Sequence, residues 1–113
     1  MPYIHAQMNI PLTIETEQEL TQDLGQAVSC LGKTEDWLML RFEDGCRMAF
    51  AGSERDPMCF VGVSMYGACT DAQMEEMTAA VTRILEKRLS ISPERIYVRY
   101  NPCDTWGWSG HNF

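Results

Sequence analysis

Residues 59–100, CFVGVSMYGACTDAQMEEMTAAVTRILEKRLSISPERIYVRY, spell out a strand, a helix and a second strand in order. Cys59 to Tyr66 carries no charge and is rich in residues that suit a pleated surface, so it reads as a strand. Thr70 with Gln73 is a capping box, which predicts a helix N-terminus there. Met74, Met77, Ala80, Val81, Ile84, Leu85 and Leu89 then recur at helical spacing. Ser92-Pro93-Glu94 reads as a turn or a short helical stop, and Ile96 to Tyr100 as the closing strand.

The residues before this unit follow the same plan. Pro2 to Ile10 alternates, with Ile4, Ala6, Met8 and Ile10 on one side and Tyr3, His5, Gln7 and Asn9 on the other. Period two marks a half-buried strand, and Pro11 ends it. Thr16 with Glu19 predicts a capped helix carrying Leu20, Leu24, Ala27, Val28 and Leu31 on one stripe. Gly32 stands where a helix C-terminal glycine belongs. A strand is expected from Trp37 to Phe42, a turn at Glu43-Asp44-Gly45, and a short strand from Arg47 to Ala51. The chain is thus strand–helix–strand twice. A crossover through a helix predicts parallel pairing within each half. The expected fold class is α+β: two βαβ units form one four-stranded mixed sheet with two helices on one face. Residues 1–113 then make a single domain. The second sheet face stays uncovered and is not polar throughout, which predicts an oligomer that buries it. The aromatic, glycine-rich tail, Asp104 to Phe113, has the composition to add a strand to a neighbour's sheet edge.

Bulk properties narrow the function. Over 113 residues the hydrophobic fraction is 45% and the net charge is −7. Such an acidic chain does not suit nucleic acid or an anionic membrane, which attract basic patches. No apolar run would span a bilayer, and MPYIHAQMNIPLT lacks the basic start and apolar core of a signal peptide. The expected location is the cytosol, with secretion outside the signal-peptide route left open. The five cysteines, Cys30, Cys46, Cys59, Cys69 and Cys103, are odd in number and contain no CxxC. They read as reduced thiols rather than a disulfide framework or zinc knuckle. His5 and His111 are isolated, so no metal site is expected.

Specific residues go further. Pro2 stands directly before a strand. Gly32-Lys33 closes the first helix, Met48-Ala49-Phe50-Ala51-Gly52-Ser53 precedes the third long strand, and Ile91 to Val98 reads ISPERIYV. Trp106-Gly107-Trp108-Ser109-Gly110 begins a tail that ends at Phe113. In order and spacing this set resembles the macrophage migration inhibitory factor (MIF) family of the tautomerase superfamily, over essentially the whole chain. The resemblance implies paired βαβ units assembled as a homotrimer, with sites at the subunit interfaces. It also implies cofactor-independent keto–enol tautomerisation of small anionic substrates of the phenylpyruvate or dopachrome type. A cell-surface receptor is the further partner it admits, because some vertebrate members act as cytokines.

The resemblance assigns roles residue by residue. Pro2, freed by removal of Met1, would be the general base. An α-amino group titrates near ~7.7–8.0, and an apolar pocket with cations nearby lowers that further. Lys33 on its own would complement a helix dipole; by resemblance it contacts the substrate carboxylate. Ser64 and Met65 match the segment whose main-chain N–H meets that carboxylate. Tyr97 matches a site tyrosine supplied by a neighbouring subunit. Arg99, on the same strand face, stands where vertebrate members carry asparagine; it either clamps a carboxylate in a bidentate way or pairs with an acidic residue. Trp106 and Trp108 match the site-lining tail, with Trp106 larger than its vertebrate counterpart. The vertebrate CxxC is absent, with Pro57-Met58-Cys59 in that region, so a thiol-oxidoreductase activity based on it is not supported. Thr34 replaces the proline that commonly follows Gly-Lys. Two other readings stand beside the tautomerase: a signalling protein with a vestigial site, and another superfamily reaction on an unsaturated acid.

Overall fold

The alternation at the start of the chain becomes the core of the molecule. In the computed structural model, which describes residues 1–113, Ile4, Ala6 and Met8 are completely or almost completely buried. They lie on strand β1 (Pro2–Met8), which ends two residues earlier than the alternation alone suggests. Helix α1 (Ile14–Ala27) tightens into a 3-10 turn at Val28–Leu31. A second 3-10 turn, Glu35–Trp37, leads into β2 (Met39–Glu43). Then come β3 (Cys59–Tyr66), α2 (Asp71–Leu89), a 3-10 turn at Pro93–Arg95, and β4 (Ile96–Cys103). The tail holds two short strands, β5 (Gly107–Trp108) and β6 (His111–Asn112).

The sheet order is β2-β1-β3-β4. Each half pairs its strands in parallel, β1 with β2 and β3 with β4, as its helical crossover requires. The halves meet in the middle, where β1 and β3 run antiparallel and Pro2 lies opposite Met65. The four-stranded mixed sheet and the two helices are therefore as expected. Leu20, Leu24 and Val28 from the first helical segment, and Met77, Val81 and Leu85 from α2, pack on Ile4, Ala6, Val61 and Val63 in one core. Arg88 of α2 ties the helices together, its Nε donating to Asp23 Oδ2 at 2.7 Å while its Nη1 pairs with Glu19.

Local details differ from the sequence reading. The first helix begins earlier, capped by Thr13 and not Thr16: Thr13 Oγ1 accepts the Thr16 backbone N–H at 3.1 Å. Both threonines have cap chemistry, but Thr13 is the one held in extended backbone beside Pro11 and Leu12. The expected strand at Arg47–Ala51 is absent. Ala51 (φ 51°) and Gly52 (φ 79°) turn the chain left-handed, leaving one bridge between Phe50 and Ser53. Trp37 belongs to the 3-10 turn, so β2 starts at Met39, and β4 runs on to Cys103. The tail strands pair with each other, Trp108 opposite His111. The second capping box is as read, with Thr70 and Gln73 exchanging both hydrogen bonds.

The face away from the helices carries Tyr3, His5, Arg41, Glu43, Phe60, Tyr97 and Arg99. Met39 (67% exposed) and Tyr97 (58%) are its most open large apolar groups. His5 Nε2 lies 2.9 Å from Glu43 Oε1 across β1 and β2. That contact, assisted by Gln7 and Arg41, holds the Glu43 carboxyl below its usual range. No helix is long and apolar enough to cross a membrane.

Candidate active site

The site is built where β1 begins. The antiparallel seam puts Pro2 opposite Met65 and Tyr3 opposite Ser64. The Tyr66 N–H donates to the Met1 carbonyl at 3.2 Å, which extends the ladder to the first residue. The amino end is thus held by the interior of the sheet. Beside it opens a cavity of about 730 Å³ lined by Met1, Pro2, Tyr3, Asp36, Trp37, Leu38, Met39, Trp106, Gly107 and Trp108. All three tryptophans of the chain face it. Trp37 and Trp108 meet edge to face, centroids 5.0 Å apart at 87°, a preferred aromatic geometry.

Lys33 reaches the same end from the other side. Gly32 (φ 70°) reverses the chain after the first helix. The lysine then extends so that Nζ donates to the Tyr66 carbonyl at 2.9 Å. Its charge acts on the terminal amine. Burial first, and the Lys33 ammonium second, hold the Met1 amino group below its ordinary value. That direction favours a neutral amine at the cavity. The ring of Tyr66 is covered by Phe113, centroids 5.4 Å apart, and the Phe113 N–H donates to the Trp106 carbonyl at 3.0 Å. The tail hairpin is in this way anchored beside the site.

A single chain brings together Pro2, Lys33, Trp106 and Trp108, with Ser64 half-buried one pair along. Met65 is adjacent only through its backbone. Its side chain turns into the core, fully buried, with Sδ 3.2 Å from Cys69 Sγ, and it forms no part of the cavity wall. Tyr97 and Arg99 lie elsewhere. The ladder Gln7–Phe60–Tyr97 is five residues from Pro2–Met65–Pro102, about 16 Å at ~3.3 Å per residue, and the ladder His5–Gly62–Arg99 is three residues away, about 10 Å. Both side chains are exposed on the open face, where Tyr97 packs edge-on against Phe50 at 5.3 Å. Arg99 takes part in none of the ion pairs, so no acidic residue of its own chain claims it.

The sequence alone does not mark Tyr3, Asp36, Trp37, Leu38 or Met39 as cavity residues. Tyr3, Trp37, Leu38 and Met39 read as strand, and nothing in the spacing shows that a 3-10 turn brings Asp36 and Trp37 to the cavity beside the start of β1. A tryptophan four residues past Gly32-Lys33, beside a segment that must return to the sheet, was the available signal.

The family model for macrophage migration inhibitory factor matches residues 1–113. The chain belongs to the MIF family. Among its relatives is macrophage migration inhibitory factor of Meriones unguiculatus, 31% identical over all of this chain and 99% of that one. Another is D-dopachrome decarboxylase of Gallus gallus, 29% identical over 94% of this chain and 90% of that one. Among MIF structures, that of Leishmania major MIF2 superposes with a TM-score of 0.93 at 31% identity, covering 100% of this chain and 97% of the other. The MIF homologue of Prochlorococcus marinus gives 0.88 at 28% identity, over 98% of each chain. The four-stranded sheet with two helices is therefore the MIF tautomerase fold, and membership supports isomerase chemistry in general terms.

Proposed function

We propose that this chain is a cofactor-independent keto–enol tautomerase of small anionic aromatic 2-oxo acids, with the Pro2 nitrogen as general base once Met1 is removed. The observation that carries the reading is an amino terminus built into the sheet's interior, beside an aromatic cavity, with its basicity lowered by burial and by Lys33. Removal of Met1 would pass the free amine to the Pro2 ring.

In the keto form of phenylpyruvate the reacting proton is on the carbon next to the carbonyl. The neutral Pro2 amine takes it, the electron pair moves to the carbonyl oxygen, and a proton delivered there completes the enol. A base with a pKa near the working pH is the most effective for this step. Lys33 holds the carboxylate with a charge-assisted bond, the main chain around Ser64 and Met65 supplies an N–H, and Trp106 and Trp108 cover the ring. Tyr97 and Arg99 complete the site from a neighbouring subunit, because their own chain holds them on β4, five and three residues along the ladder from Pro2. The proposed assembly is a homotrimer that covers the open face, and the proposed location is the cytosol, with release outside the signal-peptide route.

The printed names of the MIF relatives support a second reading, a signalling protein that meets a cell-surface receptor and keeps the site as a vestige. The name of the chicken relative supports a third, decarboxylation of a related acid. A phenylpyruvate tautomerase assay on protein whose N-terminus is verified by mass separates them. Turnover that is lost when Met1 is retained supports Pro2 as base. Equal rates for cleaved and uncleaved protein would remove it.

A further inference from the structure

The cavity beside Pro2 is lined by groups of two chemical kinds. The terminal amine, on which the Lys33 ammonium acts from outside the lining, is a group for an anion. The remainder is aromatic and carries a negative charge. Trp37, Trp108, Trp106 and Tyr3 line it together with Asp36. Trp37 and Trp108 are fixed against each other edge to face, and both remain about half exposed, with room for a guest. Within one chain Asp36 takes part in none of the ion pairs, and the neighbouring subunit's cation is assigned to the substrate carboxylate. An aromatic ring presents a negative face to a cation, indole most strongly, and the effect grows as the cation loses water. An unpaired carboxylate on the same wall works in the same direction. Asp36 is exposed, so a neutral ring placed there gains nothing from the carboxylate, whereas a cation does.

We propose that the Trp37 end of the cavity is a cation subsite, with Asp36 as the residue that sets specificity. Resting on the tautomerase reading, this makes the substrate a zwitterionic 2-oxo acid with an alkylated ammonium group remote from its carboxylate. The carboxylate goes to Lys33 and the ammonium to the indoles and Asp36. The enolisable carbon between them is left at Pro2.

The test compares 4-(trimethylammonio)phenylpyruvate with its neutral isostere 4-tert-butylphenylpyruvate, which has the same shape without the charge. The ratio of their kcat/KM values should favour the cation by about tenfold. It should fall toward unity in Asp36→Asn and in Trp37→Leu. A separate readout needs no turnover: phenyltrimethylammonium should quench tryptophan fluorescence saturably, and Asp36→Asn should weaken that binding by about tenfold. Turnover of both substrates at equal kcat/KM, with no Asp36-dependent quenching, overturns the cation subsite and leaves the tautomerase reading standing. Asp36-dependent quenching without turnover of either 2-oxo acid supports the subsite and overturns the tautomerase reading.

Discussion

Lys33 Nζ donates a 2.9 Å hydrogen bond to the carbonyl of Tyr66, so the loop after the first helix is tied to the last residue of β3. The same ammonium lowers the basicity of the terminal amine. One side chain therefore has a structural contact and an electrostatic effect, and the two can be separated. Lys33→Ala should cost no more than about 1.5–3 kcal/mol of stability, the worth of a hydrogen bond from a charged donor. Loss of a charge-assisted contact to a substrate carboxylate should weaken phenylpyruvate binding by roughly 1.5–3 kcal/mol. Thermal melts and Michaelis constants measured on one preparation check both. A collapsed melting temperature with an unchanged Michaelis constant would make Lys33 purely structural.

The pH profile has a definite sign. On the proposed mechanism the reactive form is the neutral amine, so activity should rise with pH through the amine's pKa and be lost below it. Burial and Lys33 both lower the pKa of the Met1 amine, and the Pro2 amine left by trimming is expected to be shifted in the same direction. The acid limb of the rate profile should therefore lie below the ordinary range of about 7.7–8.0. In Lys33→Ala one of the two effects is gone, and the limb should move to higher pH. Profiles of kcat/KM for the two proteins show the displacement; a limb that stays in place would mean that Lys33 does not act on the base.

Shared sites predict complementation. Pro2→Gly and Arg99→Ala proteins should each be impaired alone. Co-expressed as mixed oligomers they should recover activity, because some sites would draw Pro2 from one chain and Arg99 from another. Light scattering at micromolar concentration should give about three chain masses, and the melting temperature should rise with protein concentration. A monomer without complementation would leave Tyr97 and Arg99 remote from Pro2.

The cap of the first helix can be tested at two threonines three residues apart. Thr13→Ala removes the side chain that accepts the Thr16 N–H and should cost about 1 kcal/mol. Thr16→Ala leaves that acceptor in place and should cost less. Chemical denaturation midpoints of the two variants decide the order. Leu24→Ala, at a fully packed position, should cost about 2–5 kcal/mol on the same scale.

The thiols should differ in reactivity. Burial pushes the Cys59 thiol up to about 12, so it stays protonated and unreactive near neutral pH. Alkylation followed by peptide mapping should find Cys59 unmodified in the folded protein while the more accessible Cys46 is labelled. Early labelling of Cys59 would mean that β3 opens readily.

The architecture was legible because its signals are local and repeated. Period-two alternation at Ile4, Ala6 and Met8, helical spacing through Val81 and Leu85, and the Thr70–Gln73 box each name an element without reference to the rest of the chain. Strand polarity followed from the helical crossovers. Pro2, Lys33, Trp106 and Trp108 were marked through the family pattern, and the fold brings them to one end of the sheet. Other details depend on contacts that spacing does not encode. Thr13 and Thr16 have the same cap chemistry, and backbone direction after Pro11 chooses between them. Ala51 adopts a positive φ that its side chain does not announce. Met65 was expected at the pocket, but register turns its side chain into the core. Trp37 and Asp36 join the cavity because a 3-10 turn folds them back across the start of β1.

The sheet order has a consequence for how the protein is made. The strand that begins the chain is an inner strand, and its partners are β2, more than thirty residues downstream, and β3, more than fifty. During synthesis at roughly 5–20 residues per second, several seconds pass before β3 exists to close over β1. Throughout that interval the first residues are an unpaired, accessible peptide, and an aminopeptidase can remove Met1. Once β3 arrives, the Met1 carbonyl is bonded to Tyr66 and the peptide bond before Pro2 sits inside the ladder. Processing and folding thus compete for the same few atoms. If Pro2 is the base, as proposed, a chain that folds before it is trimmed would be trapped with that nitrogen still locked in an amide.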